Sequence, residues 1–153
     1  MMIRTVGKKN KNGEAGSALV EFALAAVIVL TVLFGIIDMG RALYAYHWVS
    51  NAARLGTRFA MVRGSYCSGL SGGCPAHDTD ITAYVISQAV GIDTSQVTVT
   101  SICVYGANFY SLPPCPAPNS VQVRVVYLFS FISPFAFHTP WPMTSRSQRV
   151  VAQ

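Results

Sequence analysis

The sequence predicts an α+β fold, in which a long N-terminal transmembrane helix packs on a small antiparallel β-sheet of three or four strands. Three observations predict it: an unbroken apolar run over Phe22–Ile37, a proline-free amphipathic continuation, and later segments of alternating β-branched residues. Of the 153 residues, 52% are hydrophobic and only 11% are charged. This composition is too apolar for an ordinary soluble domain and suits one small domain with one membrane span.

Residues 1–16 form a basic leader, with four lysine or arginine residues and one glutamate. The positive-inside rule places this leader in the cytoplasm and everything after Ile37 outside it. The predicted transmembrane helix, residues 17–37, has 21 residues, enough to cross about 30 Å of hydrocarbon at 1.5 Å per residue. The apolar region of a cleavable secretory signal has about 7–15 residues, so we expect this helix to be retained.

The helix is predicted to continue beyond the membrane over residues 38–63, because this segment lacks proline and its apolar residues recur at helical spacing. Gly64 is the expected C-cap, with the basic Arg63 in the last turn. Aromatic residues near the membrane boundary are expected to form an interfacial belt and core contacts. They are Phe34, Tyr44, Tyr46 and Trp48.

Residues 64–153 are predicted to form a small disulfide-bearing α/β domain. A short helix is expected over Ile81–Val90, with Thr79-Asp80 as its cap and Gly91 at its end. β-branched alternation predicts three strands separated by loops rich in proline. The strands are Gln96–Tyr105, Val121–Phe131 and an edge strand Met143–Val151, and the loops are Gly106–Asn119 and Ser133–Pro142.

Four cysteines, all in the part placed outside the cytoplasm, predict two disulfides, for which three pairings are possible. Pairing within each loop, Cys67–Cys74 and Cys103–Cys115, is favoured because each bridge would hold a loop rich in glycine or proline. A metal site of Cys67, Cys74 and His77 is the rival interpretation. Its spacing lies outside the usual two-to-four-residue zinc knuckle, and an oxidising compartment disfavours thiolate ligands. We therefore expect no metal and no cofactor.

Glu21 is the one acidic residue within the predicted transmembrane helix, residues 17–37, and insertion of a carboxylate at the centre of such a helix costs about 2.5–3.5 kcal/mol. Gly16, four residues, Glu21 and the aromatic Phe22, at the head of a hydrophobic helix, resemble the processing site of class III signal peptides in type IV pilin-like proteins. In those proteins a prepilin peptidase cuts after the glycine. The resemblance implies that Ser17 becomes the first residue, Glu21 the fifth and Phe22 the sixth.

Two further segments resemble the Tad (tight adherence) branch of that family. The segment that leaves the membrane carries Asp38, Gly40 and Arg41 and is similar to that of TadE-like pseudopilins. The segment that follows is similar to the family's Ala-Ala-Arg-x-Gly-x-Arg-aromatic continuation, with Arg54 and Arg58 as its arginines. The resemblance covers residues 16–64.

This resemblance implies a TadE-like minor pseudopilin of a Tad/Flp-type pilus or secretion system, with a structural role in pilus biogenesis. The implied location is the inner membrane, single-pass, with the N-terminus cytoplasmic and the C-terminal domain periplasmic. The implied partners are the prepilin peptidase, other pilins and pseudopilins, the inner-membrane pilus platform and the lipid bilayer. After cleavage, the new amino group of Ser17 and the carboxylate of Glu21 would pair between subunits and set their axial register.

Other classes of protein have less support. No nucleophile elbow, His-Glu-x-x-His helix or phosphate-binding glycine loop occurs, so we expect no enzymatic activity. No basic patch with interleaved aromatics remains outside the leader, so nucleic acid is not an expected partner. The alternative is a single-span, membrane-anchored periplasmic binding module that never assembles, which would have no use for cleavage at Gly16. A secreted enzyme would need a signal-peptidase site after Ile37, where no small-x-small pattern follows.

Overall fold

A computed structural model of the protein describes residues 11–69, 74–105, 108–111, 113–132 and 139–152. Within these ranges the chain forms a very long helix, a short helix, one 3-10 turn and four strands. The helices are α1 (Lys11–Met61) and α2 (Asp78–Ser87), and the 3-10 turn is Thr94–Gln96. The strands are β1 (Val97–Tyr105), β2 (Asn108–Ser111), β3 (Ser120–Phe129) and β4 (Trp141–Val150).

The four strands form one antiparallel sheet in the order β2-β1-β3-β4. Along the central strand β3, every second residue from Val121 to Phe129 is buried, while Arg124 and Leu128 on the other face are exposed. This period of two is that of a sheet with one covered face. The α+β class, with a long helix on a small antiparallel sheet, is therefore confirmed, and β4 lies at the edge of the sheet.

The second half of α1 lies on β3 and β4, and α2 packs on α1 and β1. The core between these layers combines small helical residues, such as Ala53 and Ala60, with valines of β3 and with Ile81 and Val85 of α2. The end of the chain is fastened to the end of the long helix, because the Ala152 N–H donates to the Met61 carbonyl at 2.9 Å. The domain is thus built around the second half of α1.

The predicted continuity of the long helix agrees with the structure, but the predicted C-cap at Gly64 is wrong. The helix ends at Met61. The Arg63 N–H then donates to the Ala60 carbonyl at 3.1 Å, a hydrogen bond across three residues that is tighter than the four-residue bonds of the α-helix. Since Ala152 already satisfies the Met61 carbonyl, no glycine in the left-handed conformation is needed there. The helix also begins at Lys11, before the predicted start at Ser17.

The predicted bounds of α2, Ile81–Val90, are wrong by three residues at each end, and so is the predicted Thr79-Asp80 cap. His77 is the N-cap. Its N–H donates to Oδ2 of Asp80, the third residue of the helix, at 2.9 Å. The start is also tied to β1, because the Ser101 N–H donates to Asp78 Oδ1 at 3.1 Å. Gly91, with φ +68°, lies in the loop beyond the helix and is not its cap.

The strands differ from prediction mainly at their ends. The predicted loop Gly106–Asn119 contains β2, which pairs with the end of β1 at Tyr105↔Asn108. β3 ends at Phe129 and not Phe131, and β4 starts at Trp141 and not Met143. Part of the predicted loop Ser133–Pro142, residues 133–138, lies outside the described residues.

Candidate functional site

The predicted processing segment lies on an exposed, uninterrupted stretch of α1. Gly16, Ser17, Glu21 and Phe22 are all exposed, and a Cβ atom placed on Gly16 would meet nothing within 4 Å. Ser17 and Glu21 are four residues apart in the helix and therefore share one face. The Glu21 carboxylate has no hydrogen-bond or ion-pair partner among the described residues. The structure thus leaves both the bond after Gly16 and the carboxylate accessible to other molecules.

The first half of α1 exposes its apolar side chains all round. Large side chains from Leu19 to Ile37 are exposed on every face of the helix, with Phe22 73% and Ile28 65% accessible. Among the described residues this is the one helix long and apolar enough to cross a membrane, and its apolar window has no buried residue. A helix that is hydrophobic all round requires a nonaqueous environment. This half therefore fits a single-pass membrane anchor.

The second half of α1 presents a face of small residues to the sheet. Ala52, Ala53, Thr57 and Ala60 are buried, and a Cβ atom on Gly56 would lie 2.9 Å from Val85 Cγ2 and 3.1 Å from Val123 Cγ1. The buried Thr57 hydroxyl lies 2.7 Å from the Ala53 carbonyl and 3.2 Å from the Ser147 carbonyl of β4. The small residues of the Ala-Ala-Arg-x-Gly-x-Arg pattern thus allow α1 to pack closely on the sheet and on α2.

The two arginines of that pattern, Arg54 and Arg58, point away from the sheet. Both are exposed, and neither forms an ion pair with any described residue. The two arginines are four residues apart in α1 and therefore share one face of the helix. A groove of about 680 Å³ beside Arg54 is lined by Tyr46, His47 and Asn51 among others, on the same outward face of α1.

At the point where α1 leaves its apolar half, four groups from two elements meet in what we call the exit cluster: Asp38, Arg41, the Ser130 carbonyl and the Ile132 N–H. Arg41 Nη1 lies 3.2 Å from Asp38 Oδ1 and 3.4 Å from the Ser130 carbonyl. The Ile132 N–H donates to the same Asp38 oxygen at 3.0 Å. The Arg41 guanidinium also lies over the ring of Phe129, 5.2 Å from its centroid. The cluster fastens the end of β3 to α1.

Asp38 and Arg41 are three residues apart on α1, a spacing at which oppositely charged side chains can pair on the surface of a helix. The pair forms, but Asp38 is not on the surface, since only 4% of it is exposed. A buried carboxylate is stabilised when its acceptors are filled, here by a guanidinium and a backbone N–H. Gly40, the third residue predicted in this segment, has open space around its Cα and takes no part in the cluster.

Two of the aromatic residues predicted near the membrane boundary, Tyr44 and Trp48, make tertiary contacts with the domain, and the predicted interfacial belt stays a prediction. The Tyr44 hydroxyl donates to the Val90 carbonyl at 2.5 Å, and Trp48 Nε1 to the Gln88 carbonyl at 3.4 Å, so they hold the end of α2. Tyr46 is 59% exposed and Phe34, one turn before Asp38, is 37% exposed.

The four cysteines form the two predicted loop-local bridges. Cys67 is joined to Cys74 and Cys103 to Cys115, with Cα–Cα distances of 5.7 and 5.5 Å. Cys103 and Cys115 are both buried in the core, where the bridge ties β1 to the loop before β3. Since Cys67 and Cys74 are bonded to each other, the metal site considered with His77 would lack its thiolates. No cluster of metal-ligating side chains occurs in the described ranges.

Sequence reasoning missed the contribution of the segment after β3 to the exit cluster. Ile132 is 94 residues from Asp38 and acts through its backbone N–H, and Ser130 acts through its carbonyl. Backbone groups carry no side-chain signature, so no motif could have found them. The one local signal is the apolar end of the strand, where Phe129 and Phe131 contact each other edge to face at 5.1 Å.

Comparison with known families supports the resemblance described above. Residues 16–58 match the family model of the TadE-like proteins. The match begins at Gly16 and ends at Arg58, so it spans the processing segment, the apolar half of α1, the exit residues and the small-residue face. No curated protein and no solved structure matches the chain. The predicted TadE-like resemblance is therefore confirmed over this segment.

Proposed function

We propose that this chain, TadE-like over residues 16–58, is a minor pseudopilin of a Tad/Flp-type pilus or secretion system. It has a structural role in pilus biogenesis and is not an enzyme. In this proposal α1 is a single-pass anchor in the inner membrane, with residues 1–16 cytoplasmic and the domain periplasmic. Its partners are the prepilin peptidase, other pilins and pseudopilins, and the inner-membrane platform.

The observation that carries the proposal is the coincidence of the family match with an unusual helix. The match starts at Gly16, the residue after which a prepilin peptidase would cut, and the helix that follows exposes every apolar face. A side-by-side bundle of such helices would cover these faces in a filament, as the bilayer does before assembly. A module that only anchors itself in a membrane needs the helix but has no need of the glycine.

Removal of the leader is tested first. We expect N-terminal sequencing of membrane-extracted protein to find Ser17 as the first residue, and Gly16→Val to keep residues 1–16 attached. A Cβ at Gly16 meets nothing within 4 Å, so failure to cut this variant reports the peptidase and not a misfolded helix. Gly35→Val, equally open and in the same half of α1, is the matched control and should be cut normally. An intact leader in the wild-type protein contradicts the proposal.

The role of Glu21 in assembly is tested separately. Cleavage would create a positive α-amino group on Ser17. In a bundle, this amine and the exposed Glu21 carboxylate of a neighbouring subunit would both be desolvated, and either one is costly without a partner. Glu21→Ala should therefore be inserted and cut, but should fail to crosslink with or co-purify with the other pilins. Thr31→Ala, an exposed polar position in the same half, is the control and should still assemble.

The two experiments separate the proposal from its alternative. A chain that is cut at Gly16 but whose Glu21→Ala variant assembles normally is still a pseudopilin, and its carboxylate only reaches the headgroups. A chain that is neither cut nor found with other pilins is the single-span binding module.

A further inference from the structure

The end of the domain nearest the exit of α1 exposes large apolar side chains from four parts of the chain. Met39 of α1 is 62% exposed, Ile132 after β3 is 58% exposed, and Trp141 at the start of β4 is 60% exposed. Val90, in the loop after α2, is 74% exposed. We call these four residues the exit rim. Contiguous exposed apolar surface is uncommon on a soluble domain and marks a contact with another phase or protein.

Hydrogen bonds and strand pairing place the exit rim at the level where the apolar half of α1 ends. The Ile132 N–H is bonded to Asp38, the first residue after the apolar run. Trp141 is paired with Phe129, whose ring lies under Arg41, one turn further along α1. Val90 is held by Tyr44, about 9 Å beyond Asp38 at 1.5 Å per residue. The contacts of the exit rim on α1 therefore lie within about 9 Å of Asp38 along the helix.

Charged side chains are distributed differently from the apolar side chains of the exit rim. At the exit, Asp38 and Arg41 neutralise each other. The nearby Asp93 accepts hydrogen bonds from its own turn at Ser95. The arginines on β4, Arg146 and Arg149, lie five and eight residues beyond Trp141, about 17 and 27 Å along the strand. The domain is thus apolar and aromatic at one end and basic toward the other.

We propose that the exit rim is a second membrane-contact surface, which rests in the headgroup region on the outer side of the bilayer that α1 crosses. Tryptophan suits this layer because its ring is apolar while its N–H can reach water or headgroups. The headgroup layer is roughly 5–8 Å deep on each side. Asp38, which binds Ile132, and Arg41, which lies over the partner of Trp141, are one and four residues beyond Ile37, about 2 and 6 Å along α1. The inference rests on the proposed single-pass anchoring of α1.

This contact would hold the domain down on the leaflet at a defined tilt. A single transmembrane helix leaves a domain free to rotate, and a rim of interfacial side chains on one end restricts that rotation. Extraction of a subunit from the membrane would then have to release two surfaces, the apolar half of α1 and the exit rim.

Quenching of tryptophan fluorescence by lipid tests the inference, because the chain has only two tryptophans, Trp48 and Trp141. The full chain is reconstituted at low protein density in vesicles of phosphatidylcholine and phosphatidylglycerol, with or without bromine on the acyl chains. The difference between the wild-type protein and Trp141→Phe gives the signal of Trp141, and the variant itself gives that of Trp48. Trp48 lies about 15 Å beyond Asp38, above the headgroup layer, and is the internal control.

We expect brominated lipid to quench Trp141 several-fold more than Trp48, and the soluble quencher acrylamide to act weakly on Trp141. Ile132→Ser should reduce the lipid quenching of Trp141, whereas Tyr66→Ser, an exposed position remote from the exit, should not. Lipid quenching of Trp141 no stronger than that of Trp48 would overturn the inference. Protection of Trp141 from acrylamide without quenching by lipid would also overturn it, and would indicate a covering protein surface.

A third tryptophan distinguishes failure of the inference from failure of the proposed anchoring. Leu24→Trp, combined with Trp48→Phe and Trp141→Phe, places the probe within the apolar half of α1. If this probe is quenched by brominated lipid and Trp141 is not, α1 spans the bilayer and the exit rim stands clear of it. If this probe is not quenched, the anchoring itself is wrong.

Discussion

The two halves of α1 are one unbroken helix in two different environments. In the first half, the largest side chains are exposed and nothing in the described part of the chain packs on them. In the second half, one face of alanines, glycine and threonine is buried against the sheet while Arg54 and Arg58 face outward. The first half matches an apolar solvent by its composition, and the second matches a particular partner surface by its shape.

This difference between the two halves indicates where substitutions should affect the stability of the protein. In the first, apolar half of α1, any large apolar side chain suits an apolar environment. Exchange of one such residue for another should therefore change the stability of the protein little. In the domain half each residue meets fixed neighbours, so changes of one methyl group are felt. A substitution in the buried domain should therefore cost more than a matched substitution in the first half of α1.

The largest effect is expected for Ile81→Ala. Ile81 is fully buried and packs against α1 near Gly56. Loss of its side chain should lower the free energy of unfolding of the domain by about 2–5 kcal/mol, through lost burial and a cavity. Ile28→Ala, at a 65% exposed position of the membrane half, should leave it unchanged. Denaturation of the full chain in mild detergent, followed by tryptophan fluorescence, measures both. Equal losses would show that the two environments are not distinct.

Reduction of the disulfides is expected to have the next largest effect, and it tests which compartment the domain occupies. All four cysteines should resist alkylation in the native protein and react after unfolding and reduction, as the two bridges require. Breaking each short-loop bridge should lower the free energy of unfolding by about 2–3 kcal/mol. Peptide mapping of the nonreduced protein checks the pairs. Four reactive thiols in untreated cells would place the domain in a reducing compartment.

Gly56→Ala compares the same glycine substitution in both halves. The added methyl group would come within 3.1 Å of the Val85 side chain of α2 and the Val123 side chain of β3, so α1 or these side chains must shift. We expect a loss of about 1–3 kcal/mol in the free energy of unfolding. Gly35→Ala meets nothing within 4 Å and should have no such cost. The same denaturation series measures both variants, and an undisturbed Gly56→Ala would show that the close approach is not required.

The smallest effect is expected for Asp38→Asn at the boundary. The amide keeps the shape and an oxygen for the Ile132 N–H, and removes the negative charge that faces Arg41. Because Arg41 is 38% exposed and screened by water, we expect the free energy of unfolding to fall by about 0.5–1 kcal/mol. This loss should shrink as salt is raised from 0.1 to about 1 M, since screening weakens the ion pair in the wild type. A loss that does not depend on salt would assign the role of Asp38 to its hydrogen bonds alone.

Much of the fold could be predicted because its signals are local. The apolar run, the absence of proline up to Met61 and the alternation in β1 and β3 each depend on neighbouring residues. The element ends could not be predicted as well, because distant groups decide them. Ala152 satisfies the carbonyl at the end of α1, and Ser101 holds the start of α2 through Asp78.

For the site, the sequence by itself determined the accessible part: the glycine, serine, glutamate and phenylalanine of residues 16–22, the length of the apolar half, and the cysteines available for pairing. These features need only the order of residues and the solvent around them. Only the tertiary structure decided that Asp38 is buried, that Gly56 is a point of close approach, and that Ile132 and Trp141 lie beside the membrane exit. The reason is physical: burial and contact between residues about 90 positions apart depend on how the sheet is laid on the helix, which no local pattern of side chains encodes.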